Sequence, residues 1–276
     1  MKLLRILSIS LLMIVSVTAA AWAADKAKVS TELKYYGHAA FSIKTPSGNV
    51  ILIDPWITNP ANKTGADDLA KIEKADLILI THGHFDHVGD SIAIAKKTGA
   101  KLVATFDLAT ALKQYAGFPK DQMGFDTLGN FGGEISLLNG EVKIAFVPAI
   151  HSSTVTEPEG AQNIHTGGAP GGFVVTVRKG PTIYHTGDTD VFGDMALLNK
   201  FHNVDVMLAT IGGHFTMGPE RAAEAVQLVK PKLVVPMHYG TFPVLTGNPD
   251  ALGKALKKRR HKTKMVVMEA GNTLKF

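Results

Sequence analysis

The chain has 276 residues, 45% of them hydrophobic and 19% charged, and it contains no cysteine. That balance excludes a disordered chain and a disulfide-stapled scaffold, and it removes thiolate ligands and thiol nucleophiles from consideration. The formal charge of +5 falls to +3 without Lys2 and Arg5, only a mild excess of the kind that draws polyanions.

The first two dozen residues form a separate unit. Lys2 and Arg5 make a short positive start, Ile6 to Val17 an apolar core, and Ala21-Trp22-Ala23 the small-x-small pattern of a processing site. The apolar core is shorter than the ~20 residues of a comfortable membrane span. Residues 1–23 are therefore read as a signal peptide, in preference to an uncleaved anchor. Residues 24–276 are read as one exported domain, periplasmic or secreted, with no stable membrane insertion once the leader is gone.

Short strand-like runs follow at Glu32–Tyr36, Ala40–Lys44 and Val50–Ile53, with Pro46-Ser47-Gly48-Asn49 as a hairpin turn between the last two. Asp76–Ile80 is a continuous apolar strand of the kind buried on both faces. A helix is expected over Asp90–Lys97, capped by Asp90 or Ser91, then a strand at Lys101–Ala104 and a helix near Asp107–Tyr115. Strands follow at Glu134–Leu138 and Val142–Val147. Residues 152–171, rich in Ser, Thr, Gly, Pro and Glu, read as one long loop.

Gly172–Arg178 and Thr182–His185 form another strand pair. Val204–Thr210 is a buried strand, Pro219–Val229 an amphipathic helix and Leu233–Pro236 a strand, before a last helix and strand. Antiparallel pairs followed by strands mixed with single helices, twice over, indicate a single α+β domain. A doubly wound parallel sheet is disfavoured by the early hairpin and by the pairs at 134–147 and 172–185. The dense basic cluster, Lys254, Lys257, Lys258, Arg259, Arg260 and Lys262, reads as a solvated helix end, since cations are favoured there. No nucleic-acid partner is expected.

The chemistry concentrates in Thr81-His82-Gly83-His84-Phe85-Asp86-His87. Three imidazoles and a carboxylate directly after a buried strand suit zinc, iron or manganese far better than they suit packing. Further donors stand just past other apolar strands: His151, Asp188 in H-T-G-D-T-D, His238 in V-P-M-H-Y-G, and Asp54 in I-L-I-D-P. Strand ends are where such sites gather.

These five elements, in this order, resemble the five motifs of the metallo-β-lactamase superfamily, whose fold is an αβ/βα sandwich, two β-sheets packed together and flanked by helices. Tyr36-Gly37-His38-Ala39, F-T-M-G-P-E at 215–220 and H-Y-G-T-F-P-V-L-T-G at 238–247 resemble a little-characterised group of metal-dependent hydrolases. That group is similar to ascorbate-phosphate lactonase and to the phospholipase D acting on N-acyl phosphatidylethanolamine. The resemblance implies two divalent metal ions, zinc as first candidate and manganese or iron as the others. His82, His84 and His151 would hold one ion, Asp86, His87 and His238 the other, and Asp188 would bridge them. It leaves Asp54 to orient a ligand ring by hydrogen bond.

Two ions about 3.5–4 Å apart can share a water and lower its pKa, giving a bridging hydroxide that attacks a carbonyl carbon or a phosphorus. The expected function is thus hydrolysis of a lactone, ester, amide or phosphodiester in a small-molecule substrate, with Asp86 and Asp188 as catalytic residues. His84 stands where oxygen-reducing flavodi-iron relatives carry glutamate, and the lack of cysteine argues against the thiolate-using β-lactamases. The alternatives are a mononuclear-iron redox enzyme of the sulfur-compound dioxygenase type and a non-catalytic metal-binding envelope protein.

His38 and His214 are weaker candidates for touching substrate or supporting a ligand. His165 is expected to be exposed or part of a lid, His185 to pack beside the site, and His202 and His261 to lie at the surface. Gly167-Gly168 and Gly212-Gly213 are weak candidates for an anion cradle. The sequence carries no signal of oligomeric state.

Overall fold

The computed structural model describes residues 30–158 and 163–276. The signal-peptide reading of residues 1–23 lies outside the described residues. Among those that are described, no helix is long and apolar enough to cross a membrane.

The first half of the chain carries β1 (Glu32–Tyr35), β2 (Phe41–Lys44), β3 (Val50–Ile53), α1 (Gly65–Ala70), β4 (Leu77–Leu79), α2 (Phe85–Val88), α3 (Ser91–Thr98), β5 (Lys101–Thr105), α4 (Phe106–Ala111) and β6 (Leu128–Gly129). The second carries β7 (Glu134–Leu137), β8 (Val142–Pro148), β9 (Thr154–Thr156), β10 (Ile164–Thr166), β11 (Gly171–Val177), β12 (Thr182–His185), α5 (Met195–His202), β13 (Val206–Thr210), α6 (Pro219–Val229), β14 (Leu233–Met237), α7 (Pro249–Lys258) and β15 (Lys264–Met265). A last strand, β16 (Thr273–Lys275), returns to the first sheet.

The strands form two seven-stranded sheets, ordered β16-β1-β2-β3-β4-β5-β6 and β15-β14-β13-β12-β11-β8-β7. Each is antiparallel on one side and parallel on the other, with the change at β3 and at β12. β16 runs antiparallel to β1, and Thr31 and Phe276 exchange two backbone hydrogen bonds of 3.2 and 2.9 Å. The predicted αβ/βα sandwich is the observed fold.

Strand alternation explains the layers. In β3, Ile51 and Ile53 face the opposite sheet, whereas Leu52 faces the helices; in β13, Val206 and Leu208 face inward and Met207 and Ala209 outward. Leu33, Phe41 and Leu79 of one sheet meet Ile144, Phe173 and Val235 of the other in the central core. Ile94 and Leu108 cover the first sheet, and Met195, Ala222, Val226 and Leu252 the second. Each fully buried Val, Leu, Ile, Phe or Met side chain among them contributes about 1.5–3 kcal/mol.

The long loop expected over 152–171 holds a two-stranded hairpin, β9 with β10, because Thr154-Val155-Thr156 alternates and buries Val155 against the first sheet's outer core. Asp90 does not cap α3 through its side chain. Its carboxylate accepts instead from the Thr58 amide and hydroxyl, at 2.9 and 3.1 Å.

A tie between the sheets fixes the first hairpin. Glu141, buried just ahead of β8, accepts from the Ser47 amide at 2.9 Å and the Asn49 side chain at 2.6 Å. Those bonds hold its carboxyl below the usual glutamate value, although burial alone would raise it.

Candidate metal centre

Strand ends bring the predicted donors to one rim. The chain leaves β4 at Leu79 and makes a tight turn through Thr81–His84, and His84 stands just ahead of α2, which carries Asp86 and His87 in its first turn. Gly83 is required there. A Cβ at that position would lie 2.8 Å from the Thr154 carbonyl oxygen and 2.7 Å from a Val155 methyl. The β9 hairpin thus presses directly on the histidine turn, and Ser153 Oγ accepts from the Gly83 amide at 3.1 Å.

Asp54, fully buried at the end of β3, orients two of the rings. It accepts from His87 Nδ1 at 2.7 Å and from the Thr81 amide and hydroxyl at 2.8 and 2.7 Å. Thr81 Oγ1, whose proton goes to Asp54, lies 3.0 Å from His82 Nδ1 and so accepts the ring proton. Both rings are thereby held as the Nδ1–H tautomer with Nε2 turned to the rim.

Three sets of donor atoms converge within 4.8 Å of one another: His82, His84 and His151; His82, His87 and Asp188; and His38, Asp86, His87 and His238. Asp188 lies between the outer two. Its carboxylate is 3.6 Å from His151 Nε2, 3.3 Å from His87 Nε2 and 3.0 Å from His238 Nε2. Among the described residues, His87 Nε2, Asp188 Oδ1 and both ring nitrogens of His238 are buried without a hydrogen-bond partner. Their close approaches do not form hydrogen bonds, yet one donor atom of each residue lies within 4.8 Å of the others in its set. Buried polar atoms left this way are costly, and the arrangement fits a cation held by imidazole nitrogen and carboxylate oxygen.

Burial is the largest influence on every ring here. It holds His82 well below the usual imidazole value, His87 adding to the effect, and it lowers His84 and His151. In His87 and His238 burial is overridden by carboxylates: Asp188 and Asp54 raise His87 well above its ordinary value, and Asp188 lifts His238 to about 9. Asp86 and Asp188, despite burial that would raise them, are held far below the carboxylate range by the same rings. The carboxylates draw protons onto the nearest imidazoles; a cation between them would take over that charge balance.

His38 is completely buried, with Nε2 3.0 Å from Asp86 Oδ2 and Nδ1 2.9 Å from Thr241 Oγ1. Burial lowers it to about 4. Both its nitrogens have partners, which sets it apart from His87 and His238 and makes it a support for Asp86. His185 is similarly fixed, with Nε2 2.9 Å from the Ala39 carbonyl and Nδ1 accepting from the Gly187 amide at 3.1 Å. His165 stacks flat on Tyr115, centroids 3.5 Å apart, and meets Glu157 Oε1 at 2.6 Å.

His214 is exposed and packs edge-on against Phe215. Phe215, rather than His214, lines the cleft over the donors, a space of about 610 Å³. Three of the four amides of the glycine pairs are not free to cradle an anion. The amides of Gly167, Gly168 and Gly213 are spent on Ser153 O, Thr166 Oγ1 and Met217 O, at 2.9, 3.3 and 3.0 Å. Thr81, Thr241, Ser152 and the aromatic wall of the cleft were not singled out by sequence reasoning. Phe85, Phe215 and Phe242 stand inside the motifs quoted above, but nothing in those motifs marked their rings as a cleft wall.

A family model described as a beta-lactamase superfamily domain matches residues 32–238. A UPF0173 metal-dependent hydrolase of Thermodesulfovibrio yellowstonii is 55% identical over 247 residues, covering 90% of this chain and 92% of its own length. One from Anaeromyxobacter dehalogenans is 54% identical over 252 residues, covering 91% of this chain and 88% of its own. Among solved structures, Igni18, a metallo hydrolase of the hyperthermophilic archaeon Ignicoccus hospitalis, superposes with a TM-score of 0.76 at 37% identity, over 90% of this chain and 98% of that one.

Proposed function

We propose, for a chain that belongs to the beta-lactamase superfamily and is a metal-dependent hydrolase, that it holds two divalent ions and cleaves a lactone, ester, amide or phosphodiester bond in a small molecule. The observation that carries the two-ion reading is the place of Asp188, within 3.6 Å of His151 on one side and 3.0 Å of His238 on the other. His82, His84 and His151 would hold the first ion, Asp86, His87 and His238 the second, with Asp188 shared. An all-imidazole and carboxylate set makes zinc the first choice, with manganese or iron also compatible.

Such ions would supply a Lewis acid for the substrate oxygen and a lowered pKa for a shared water. The residues supply position. Asp54 and Thr81 fix the tautomers of His82 and His87. His38 holds Asp86 Oδ2, and Asp86 lines the cleft, where it is placed to relay a proton to a departing group.

Elemental analysis of the purified protein tests the reading: about two divalent ions per chain are expected. Asp188→Ala should lower both metal content and turnover, and His82→Ala should lose bound metal. A single iron per chain with thiol-dependent oxygen uptake would overturn it. Export belongs to the same proposal, supported by the leader pattern of residues 1–23. N-terminal sequencing of the secreted form is expected to begin at Ala24.

A further inference from the structure

The cleft over the donors has an unusual division of labour. Of its eleven lining residues, five are donors, five are apolar and one, Ser152, is an ordinary polar residue. The apolar set comes from three separate segments: Phe85 from the first position of α2, Phe215 from the stretch after β13, and Phe242, Pro243 and Val244 from the stretch after β14. Phe85 and Phe215 are 62% and 58% exposed. Trp56 backs this wall, its ring 5.7 Å from Phe85 and 6.0 Å from Phe242. Large apolar groups gathered at a polar site and left in water mark a surface that a ligand covers.

The charge pattern points the same way. Among the described residues no lysine or arginine lines the cleft, and the amides of Gly167, Gly168 and Gly213 are bonded to the protein's own oxygens. Phosphate recognition ordinarily uses such cations or a nest of amides. In the two-ion reading, Asp54, Asp86 and Asp188 set three negative charges against the ions' four, so the lining adds no positive charge of its own. Resting on that reading, we propose that the substrate is an uncharged carboxylic ester or lactone whose apolar acyl or aryl part lies against Phe85, Phe215 and Phe242. The bond broken is the acyl C–O bond; water supplies the hydroxyl to the carbonyl carbon and the proton to the departing alcohol oxygen.

The test has two arms on the metal-loaded full chain. In the first, kcat/KM is measured for 4-nitrophenyl acetate, butyrate and hexanoate and for bis(4-nitrophenyl) phosphate. At about 0.8 kcal/mol per buried methylene, each added CH2 is worth roughly fourfold, so hexanoate is expected to exceed acetate by well over tenfold. The phosphodiester is expected to be at least about a hundredfold slower than hexanoate, a gap within the range that missing polar complementarity produces. In the second arm, binding of 4-nitrophenyl hexyl ether, which has no bond to hydrolyse, is measured by equilibrium dialysis. Phe85→Ala and Phe215→Ala, both at exposed positions, are expected to weaken the ether about tenfold and to flatten the chain-length series.

An active enzyme with a flat series and no binding of the hexyl ether overturns the proposal alone. So does faster turnover of the phosphodiester. Ether binding without turnover of any ester or phosphodiester overturns the hydrolytic reading beneath it, and the proposal with it.

Discussion

Asp54 is a carboxylate that touches two rings, one directly and one through the Thr81 hydroxyl. Losing its charge while keeping its shape is therefore a sharper probe than removing a donor. Asp54→Asn is tolerated by the backbone, since the residue sits at φ 45°, where asparagine is also at ease. Metal affinity is expected to fall about 10- to 100-fold, read by competition with a chelator, with the circular dichroism spectrum unchanged. Unchanged affinity would mean that Asp54 holds the turn and not the tautomers. The residues legible in the sequence were those whose chemistry is rare in cores, placed after apolar runs: His82, His84, Asp86, His87, His151, Asp188 and His238. Thr81 and Thr241 were not legible, because a hydroxyl beside a histidine carries no spacing signal of its own.

At the scale of elements, the hairpin between β2 and β3 depends on a residue from the other sheet. Glu141→Gln keeps the size and loses the charge that the Ser47 amide and Asn49 side chain address. It should cost about 1–2 kcal/mol, measured by denaturant unfolding at pH 7. The sign with pH follows from the lowered value of Glu141. Its contribution is present above the ordinary 4.5 and is lost as pH falls through the lower folded value. The wild type and variant curves should therefore converge in acid; a constant gap would exclude this carboxylate as the cause. Strand runs with continuous or alternating apolar residues were readable from sequence, and α6 matched to its end residues. The β9 and β10 strands were not, because three-residue strands rich in threonine look like loop. Helices α1 and α5 were not expected either; six to eight residues hold barely two turns of periodicity.

At the scale of the molecule, the donors span His82 to His238 and come from both sheets. An ion bound only by the folded chain adds about 4 kcal/mol of stability when present at 1,000 times its dissociation constant. Exhaustive chelation is therefore expected to lower Tm by about 10 °C in a domain of this size, and added zinc should restore it in a calorimetric scan. A Tm indifferent to chelation and zinc would place the donors outside any tight metal site.

The pairing of β16 with β1 has a consequence of a different kind. Thr31 and Phe276 meet at the start of β1, and the strand then runs toward His38, on the order of 20 Å away at the usual rise per residue. Phe276 thus lies at the end of β1 opposite His38. A purification handle, a fusion partner or a solid support attached after Phe276 would leave the mouth of the enzyme facing outward, open to whatever diffuses past.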